Sequence, residues 1–155
     1  GLYMKSGICH SAILILFSTL TLLNSGCSLW QNRVAFNDVI IETVPDANDN
    51  APVAVDIVAI TDSALLPTVQ SLSATQWFNA KSQLLRDNPD GFRVWSLELV
   101  PGSRFVAQEN PLQGVTTEAT LLFARYRSEG DHRLRLDKVS SLHLLLMTDE
   151  AILAP

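Results

Sequence analysis

The stretch VIIETVPDANDNAPVAVDIVAITD, residues 39–62, decides the fold class, because it holds two β-branched segments with a turn-rich loop between them. Residues 36–44 and residues 53–61 are rich in valine and isoleucine, which favour β-strands. Residues 45–52 contain two prolines, two aspartates and two asparagines, which favour turns. The stretch therefore predicts a strand, a loop and a second strand.

The second strand places its side chains on two faces that differ in polarity. The odd-numbered positions from Val53 to Thr61 are apolar apart from the final threonine, whereas the even-numbered positions include Asp56. We expect the Asp56 carboxylate to face solvent, since a lone charge on the more polar face of a strand is normally hydrated.

Residues 63–86 depart from the strand pattern and predict a helical insertion. Ser73 is followed three residues later by a glutamine, which is the spacing of a capping box at the start of a helix. Apolar residues then recur at helical spacing along one face. We interpret Trp77 and Phe78 as core residues in preference to a ligand-stacking pair, and we expect the helix to end by Arg86, before a dense turn signal.

The remainder of the chain predicts further short strands. Strand-like patterns cover residues 92–100, 104–107, 118–127 and 133–136. Residues 128–131 are typical of a hairpin turn, whereas residues 139–147 fit either a strand or a short helix. Short strands at regular spacing predict a mainly β protein: a β-sandwich of about six to eight strands with a short helical insertion at about residues 63–86.

The composition of the chain excludes some classes of function. The chain has 155 residues, of which 11 are basic and 16 are acidic, giving a formal net charge of −5 at pH 7. Without an excess of basic residues to neutralise phosphates, nucleic-acid binding is excluded as the main function. Hydrophobic residues make up 47% of the chain, which is enough to bury a core and to exclude disorder, and the length favours one folded domain.

The N-terminal segment has the features of an export signal. Residues 8–23 form an uncharged, mainly apolar run that is shorter than the roughly 20 residues of a membrane-spanning helix. The small residues before Cys27 resemble the lipobox of bacterial lipoproteins, although Asn24 stands where that pattern usually has leucine. The resemblance implies that Cys27 is lipidated and becomes the first residue of the mature protein.

The resemblance to lipoproteins divides the chain into three parts. It implies a signal peptide at residues 1–26, a lipidated tether at residues 27–35 and a periplasmic β-sandwich domain at residues 36–155. Ser28 follows the cysteine where an aspartate would resemble an inner-membrane retention signal. The implied location is therefore the periplasmic face of the outer membrane, with the protein held there by its lipid. An uncleaved membrane anchor is the alternative.

Residues that could carry catalysis or bind a metal are scarce in the predicted domain. The two cysteines of the chain are Cys9 and Cys27, so the domain has no thiol for a nucleophile or a zinc site. His132 and His143 lack the spacing of a compact metal pair, and no nucleophile elbow, phosphate loop or dinucleotide motif occurs. We therefore expect no enzyme activity, no cofactor and no metal site.

Four arginines form a local basic pattern near the predicted hairpin turn. They are Arg125, Arg127, Arg133 and Arg135. On adjacent strands these side chains could stand side by side and pair with Glu118, with Glu129 or with an acidic partner. A solvated strand face is the alternative interpretation.

Three features of the sequence together resemble one known family. The strand–loop–strand run of residues 39–62, the aromatic pair Trp77-Phe78 in the insertion and the turn Pro101-Gly102 are similar to the TssJ family, the outer-membrane lipoproteins of the bacterial type VI secretion membrane complex. The resemblance implies a transthyretin-like sandwich that tethers the periplasmic domain of a TssM-like inner-membrane component. The chain departs from the family at residues 58–60, where the family has a Tyr-Gln-Leu-like strand end, and in its longer apolar tail.

The loop at residues 45–52 is the predicted contact with that partner. It is longer than the about two to five residues usual in a hairpin, and its prolines limit the entropy lost on binding. Loops on a rigid scaffold also concentrate binding groups, and the family resemblance implies the same loop. The predicted partner-binding residues are Pro45, Asp46, Ala47, Asn48, Asp49, Asn50, Ala51 and Pro52. A solvated connector is the alternative reading of this loop, and the four arginines are the second candidate surface.

Two other functions stay open at this point. Another envelope-assembly lipoprotein, similar to a secretin pilotin, would share the anchor, the size and the lack of catalytic residues. A periplasmic small-ligand binder could hold a pocket at one end of the sandwich that the sequence does not reveal.

Overall fold

The computed structural model describes residues 32–155. The predicted signal peptide, Cys27 and the first part of the predicted tether lie outside the described residues. Within residues 32–155, no helix is long and apolar enough to cross a membrane.

Within the described part of the chain, eight strands form two four-stranded sheets, which confirms the predicted mainly β sandwich. The strands are β1 (Val39–Thr43), β2 (Val53–Ile60), β3 (Phe92–Leu99), β4 (Arg104–Val106), β5 (Ala119–Arg125), β6 (Arg133–Arg135), β7 (Leu142–Leu146) and β8 (Ala151–Leu153). The segment that fitted either a strand or a helix is therefore the strand β7. The first sheet has the order β4-β1-β7-β8 and the second has the order β3-β2-β5-β6.

The two sheets differ in how their strands pair. In the first sheet β1 is parallel to β7 and antiparallel to β4, and β8 is antiparallel to β7. In the second sheet all neighbouring strands are antiparallel. The residues of β1 alternate between buried and half-buried, because one face of its sheet packs on the core and the other faces outward.

Strand β2 is buried on both faces, which explains its almost unbroken apolar sequence. Its odd-numbered residues, such as Val55 and Ile57, pack in the core between the two sheets, together with Leu144 of β7. Its even-numbered residues Val58 and Ile60 pack in a second core beneath the helical insertion. The described domain therefore has three layers where β2 lies: the first sheet, the second sheet and the helical insertion.

The helical insertion contains α1 (Leu66–Val69) and α2 (Ala74–Asp87). Ser73 and Gln76 form the predicted capping box: the Gln76 N–H donates to Ser73 Oγ over 3.2 Å, and the Ser73 N–H donates to Gln76 Oε1 over 2.9 Å. The helix ends one residue beyond the expected Arg86. Trp77 is fully buried and stacks on Phe123 of β5 with ring centroids 5.1 Å apart, which confirms its interpretation as a core residue.

Asp56 is buried, so the expectation that it faces solvent is wrong. Only 1% of Asp56 is exposed, because α2 covers this face of β2. Its Oδ2 atom accepts hydrogen bonds from Trp77 Nε1 and from Lys81 Nζ, each over 2.9 Å. A more polar strand face is compatible either with solvent or with a covering helix that supplies donors, and here the helix supplies them.

Candidate functional site

The loop at residues 45–52 crosses from one sheet to the other. Since β1 lies in the first sheet and β2 in the second, the two strands are not a hairpin, and the comparison of this loop with hairpin loops was wrong. Packed sheets lie about 10 Å apart, so a connection between them needs more residues than a tight turn. The sandwich topology therefore explains the length of this crossover loop.

The crossover loop turns back on itself through three consecutive left-handed residues. Asn48, Asp49 and Asn50 have φ values of 51°, 57° and 60°. Asparagine and aspartate adopt this conformation at lower cost than other non-glycine residues, so the Asn-Asp-Asn sequence suits the turn. Ala47 and Asn48 are buried, whereas the side chains of Asp46, Asp49 and Asn50 are exposed.

Asn48 fastens the crossover loop to two other parts of the chain. Its Nδ2 donates to the Pro52 carbonyl over 3.1 Å, and its Oδ1 accepts from the Arg127 N–H over 2.7 Å. Its own backbone N–H donates to the Thr148 carbonyl over 2.9 Å. Through its side chain Asn48 therefore joins the loop to the residues after β5, and through its backbone N–H it joins the loop to the turn between β7 and β8. Asn48 is one of two asparagines in the loop, and nothing in the sequence indicates that it is the buried one.

Tyr126 joins the same turn from the other side. Its hydroxyl oxygen lies 2.8 Å from the Met147 carbonyl and 3.0 Å from the Glu150 carbonyl, so its proton is shared between them. Burial, together with the charges of Asp149 and Glu150, raises the pKa of the Tyr126 phenol, which keeps the hydroxyl protonated as a donor.

Three loops thus meet at one end of the sandwich, which we call the distal end: the crossover loop (residues 45–52), the β5–β6 turn (residues 128–131) and the β7–β8 turn (residues 147–150). The Ser128 hydroxyl donates to the Asp149 carbonyl over 3.0 Å and so joins the last two. Because side chains and backbone groups connect all three loops, the distal end is a preformed surface.

The distal end is strongly acidic and only shallowly concave. Its exposed carboxylates are Asp46, Asp49, Glu129, Asp131, Asp149 and Glu150. The exposed guanidinium of Arg127 lies 4.0 Å from the Asp49 carboxylate. A cleft of about 740 Å³ separates the β5–β6 turn from the β7–β8 turn, and a second of about 500 Å³ lies between the crossover loop and the start of α2. Both clefts are open, so they suit a protein surface better than an enclosed small ligand.

The described chain begins at the opposite end of the sandwich. The Asn32 carbonyl accepts from the Thr117 N–H over 2.9 Å, and Arg33 forms a β-bridge with Thr116. This proximal end lies where β2 finishes, whereas the crossover loop precedes β2. Eight strand residues span about 26 Å, so the first described residue and the distal end lie at opposite ends of the domain.

The four arginines do not form one basic patch. The hairpin of β5 and β6 is present, but Arg133 binds the Leu72 carbonyl and lies 3.8 Å from Asp131, while Arg135 binds Asp137. Arg125 lies over the ring of Phe78. The expected pairing with Glu118 and Glu129 is wrong, because the helical insertion and nearer aspartates supply the partners.

The two histidines lie apart and have other partners. His132 stacks on Tyr126 with ring centroids 5.0 Å apart. His143, on the outer face of the first sheet, lies with Nε2 2.6 Å from Glu42 Oε2, and this hydrogen bond holds the pKa of the Glu42 carboxyl below its usual value. Across residues 32–155, no three metal-ligating side chains of the His, Cys, Asp or Glu type come together.

Comparison with known proteins finds its matches among solved structures. No protein-family model matches the chain, and no curated protein matches it by sequence. A structure described as the C-terminal domain of the type VI secretion protein TssM from EAEC is 16% identical with a TM-score of 0.57, and one described as a type VI membrane complex is 14% identical with a TM-score of 0.60. Serratia marcescens Lip, a membrane-bound component of the type VI secretion system, is 10% identical with a TM-score of 0.51.

Each of these matches covers 76% of this chain and 96% of the matched chain. At such identities the likeness shows the fold, and it confirms the predicted fold, which the chain shares with components of type VI secretion membrane complexes.

Proposed function

We propose that the protein is an outer-membrane lipoprotein of a type VI secretion membrane complex, and that it acts as a scaffold and not as an enzyme. It tethers the periplasmic domain of a TssM-like inner-membrane component. The observation that carries the proposal is the preformed distal end, which lies opposite the first described residue, Asn32. The shared fold supports the same role.

The anchor in this proposal is Cys27, which lies outside the described residues. We expect cleavage before Cys27 and acylation of that residue, because small residues and an apolar signal segment converge there. Mass spectrometry of protein extracted from membranes should show a lipidated N-terminal Cys27. A Cys27→Ser variant that is exported normally and still remains in the outer membrane would contradict this part of the proposal.

The contact in this proposal is the crossover loop. The buried residues Ala47 and Asn48 hold its shape, while the side chains of Asp46, Asp49 and Asn50 are exposed to a partner. Asp46 also accepts a hydrogen bond from the Thr148 hydroxyl over 3.1 Å, and Asp49 lies 4.0 Å from Arg127. Six carboxylates around the distal end create a negative potential, so the fitting partner surface carries lysine or arginine. Association with such a partner is faster at low ionic strength, since salt screens exposed charges.

The expected result of removing two of these charges is weaker partner binding. The double variant Asp46→Asn, Asp49→Asn keeps residues that tolerate the loop conformation, and it should bind the periplasmic domain of a TssM-like partner about tenfold more weakly. Titration calorimetry at two salt concentrations measures the affinity and its salt dependence, both of which should fall.

The matched control removes two charges at the proximal end. Asp38→Asn, Glu109→Gln changes the net charge equally, and both residues are exposed. This control should retain the original affinity. Equal weakening of binding in the two double variants would show that net charge alone acts. An unchanged affinity of the loop variant would mean that the crossover loop is not the contact.

A further inference from the structure

Strand β3 is a long open edge of the second sheet. It has eight residues, and within residues 32–155 its backbone pairs with β2 and with no other strand. The other edge strands of the two sheets, β4, β6 and β8, have three residues each. An edge strand leaves a row of N–H and C=O groups that can accept another strand, and a short edge strand is one of the ways in which proteins limit such pairing.

The side chains along β3 give this edge a specific pattern. Trp95 and Leu97 point into the core between the sheets but are only half-buried, and the Trp95 ring contacts Phe105 of β4 with centroids 6.4 Å apart. Immediately after the strand, 60% of Val100 is exposed. The middle of the open edge, at Trp95 and Leu97, is therefore apolar on the side of the other sheet.

Two exposed charges mark the ends of the edge. Arg93 and Glu98 form no ion pair within residues 32–155, and they lie on opposite faces of the sheet. The register places Arg93 opposite Ala59, on the face of the inter-sheet core, and Glu98 opposite Ala54, on the face of α2. A fifth strand would bring its own side chains within reach of both charges.

We propose that β3 takes up an extended segment of another protein as the fifth strand of its sheet. The segment that fits has an acidic residue opposite Arg93, apolar residues opposite Trp95 and Leu97, and a basic residue opposite Glu98. Backbone hydrogen bonds supply the affinity and the two charge pairs set the register. Glu98, at one end of this edge, lines the same open cleft as Asn48 and Pro52 of the crossover loop. The backbone edge of β3 is nevertheless a different contact, and it goes beyond the proposed function.

A second copy of this chain does not pair the two charges of the edge. When a two-fold axis relates two copies of β3, the two strands pair antiparallel and their sheets join into one continuous sheet. Residues that lie opposite each other in this pair are on the same face of the joined sheet. Arg93 and Glu98 lie on opposite faces, so no register of such a pair places Arg93 of one copy opposite Glu98 of the other. A second copy would leave both charges without a partner, so the occupant that pairs with both is a different polypeptide.

Synthetic peptides test the inference on the full chain purified in detergent. The two probes are Thr-Glu-Thr-Val-Thr-Ile-Lys-Thr for a parallel strand and its reverse sequence for an antiparallel strand, and the control peptides have the Glu and Lys exchanged. We expect a matched probe to bind about tenfold more tightly than its exchanged control, and to slow amide hydrogen exchange in residues 92–99.

A charge-swapped protein provides the matched test of register. In Arg93→Glu, Glu98→Lys the preference should invert, so that the exchanged peptide binds more tightly. Absence of binding at millimolar peptide, equal affinities for matched and exchanged peptides, or binding that leaves the exchange of residues 92–99 unchanged would each overturn the proposal.

Discussion

Replacing Asp56 by alanine should lower the free energy of unfolding by about 3 kcal/mol, the lower end of the range for breaking a buried ion pair. The substitution leaves Trp77 Nε1 without an acceptor under α2 and removes the partner of the Lys81 ammonium. Lys81 is 28% exposed, so its head can turn towards water, which limits the loss. Denaturant unfolding followed by circular dichroism measures the change.

A matched control separates the buried carboxylate from aspartates in general. Asp90→Ala removes an exposed carboxylate near the end of α2 and should change the free energy of unfolding by less than about 0.5 kcal/mol. Asp56→Asn retains an acceptor for Trp77 and should fall between the two. If Asp56→Ala were as stable as Asp90→Ala, the carboxylate would not be what fixes the helical insertion to the sheet.

Replacing Asn48 by alanine should cost about 2–4 kcal/mol of unfolding free energy. The loss combines an unpaired Arg127 N–H and an unpaired Pro52 carbonyl with the strain of alanine at a φ of 51°. Thermal and denaturant unfolding of the purified protein measure it.

The control for Asn48 has the same backbone conformation without the buried contacts. Asn50 has a φ of 60° and an exposed side chain, so Asn50→Ala carries the strain alone and should cost about 1 kcal/mol. Equal losses for the two variants would contradict the role of the Asn48 amide in fastening the crossover loop.

The features predictable from the sequence depend on residues close together in the chain. The capping box of Ser73 and Gln76, the strands at residues 53–61 and 92–100, and the hairpin turn at residues 128–131 all follow from local patterns, and all are present. Local propensity and periodicity determine such elements before any tertiary contact forms.

The predictions that the structure contradicts depend on which elements pack against each other. Asp56 was expected in solvent because periodicity cannot distinguish a wet strand face from one beneath a helix. The crossover loop was compared with hairpins because the sequence does not show that β1 and β2 belong to different sheets. At the candidate site, composition identified the loop, but the burial of Asn48 depends on contacts with residues 127 and 148, about 80 and 100 positions away.

The parallel pairing of β1 with β7 has a consequence for how the chain folds. Ile41 lies opposite Leu144, 103 positions later, so closure of a very long loop must precede this contact. Topologies with such distant pairings fold slowly, and their apolar strands stay open to aggregation or to chaperones in the meantime. A chain that stops before Leu142 leaves its first strand without one of its two neighbours, so a nascent chain keeps that strand incomplete until residues 142–146 have been made.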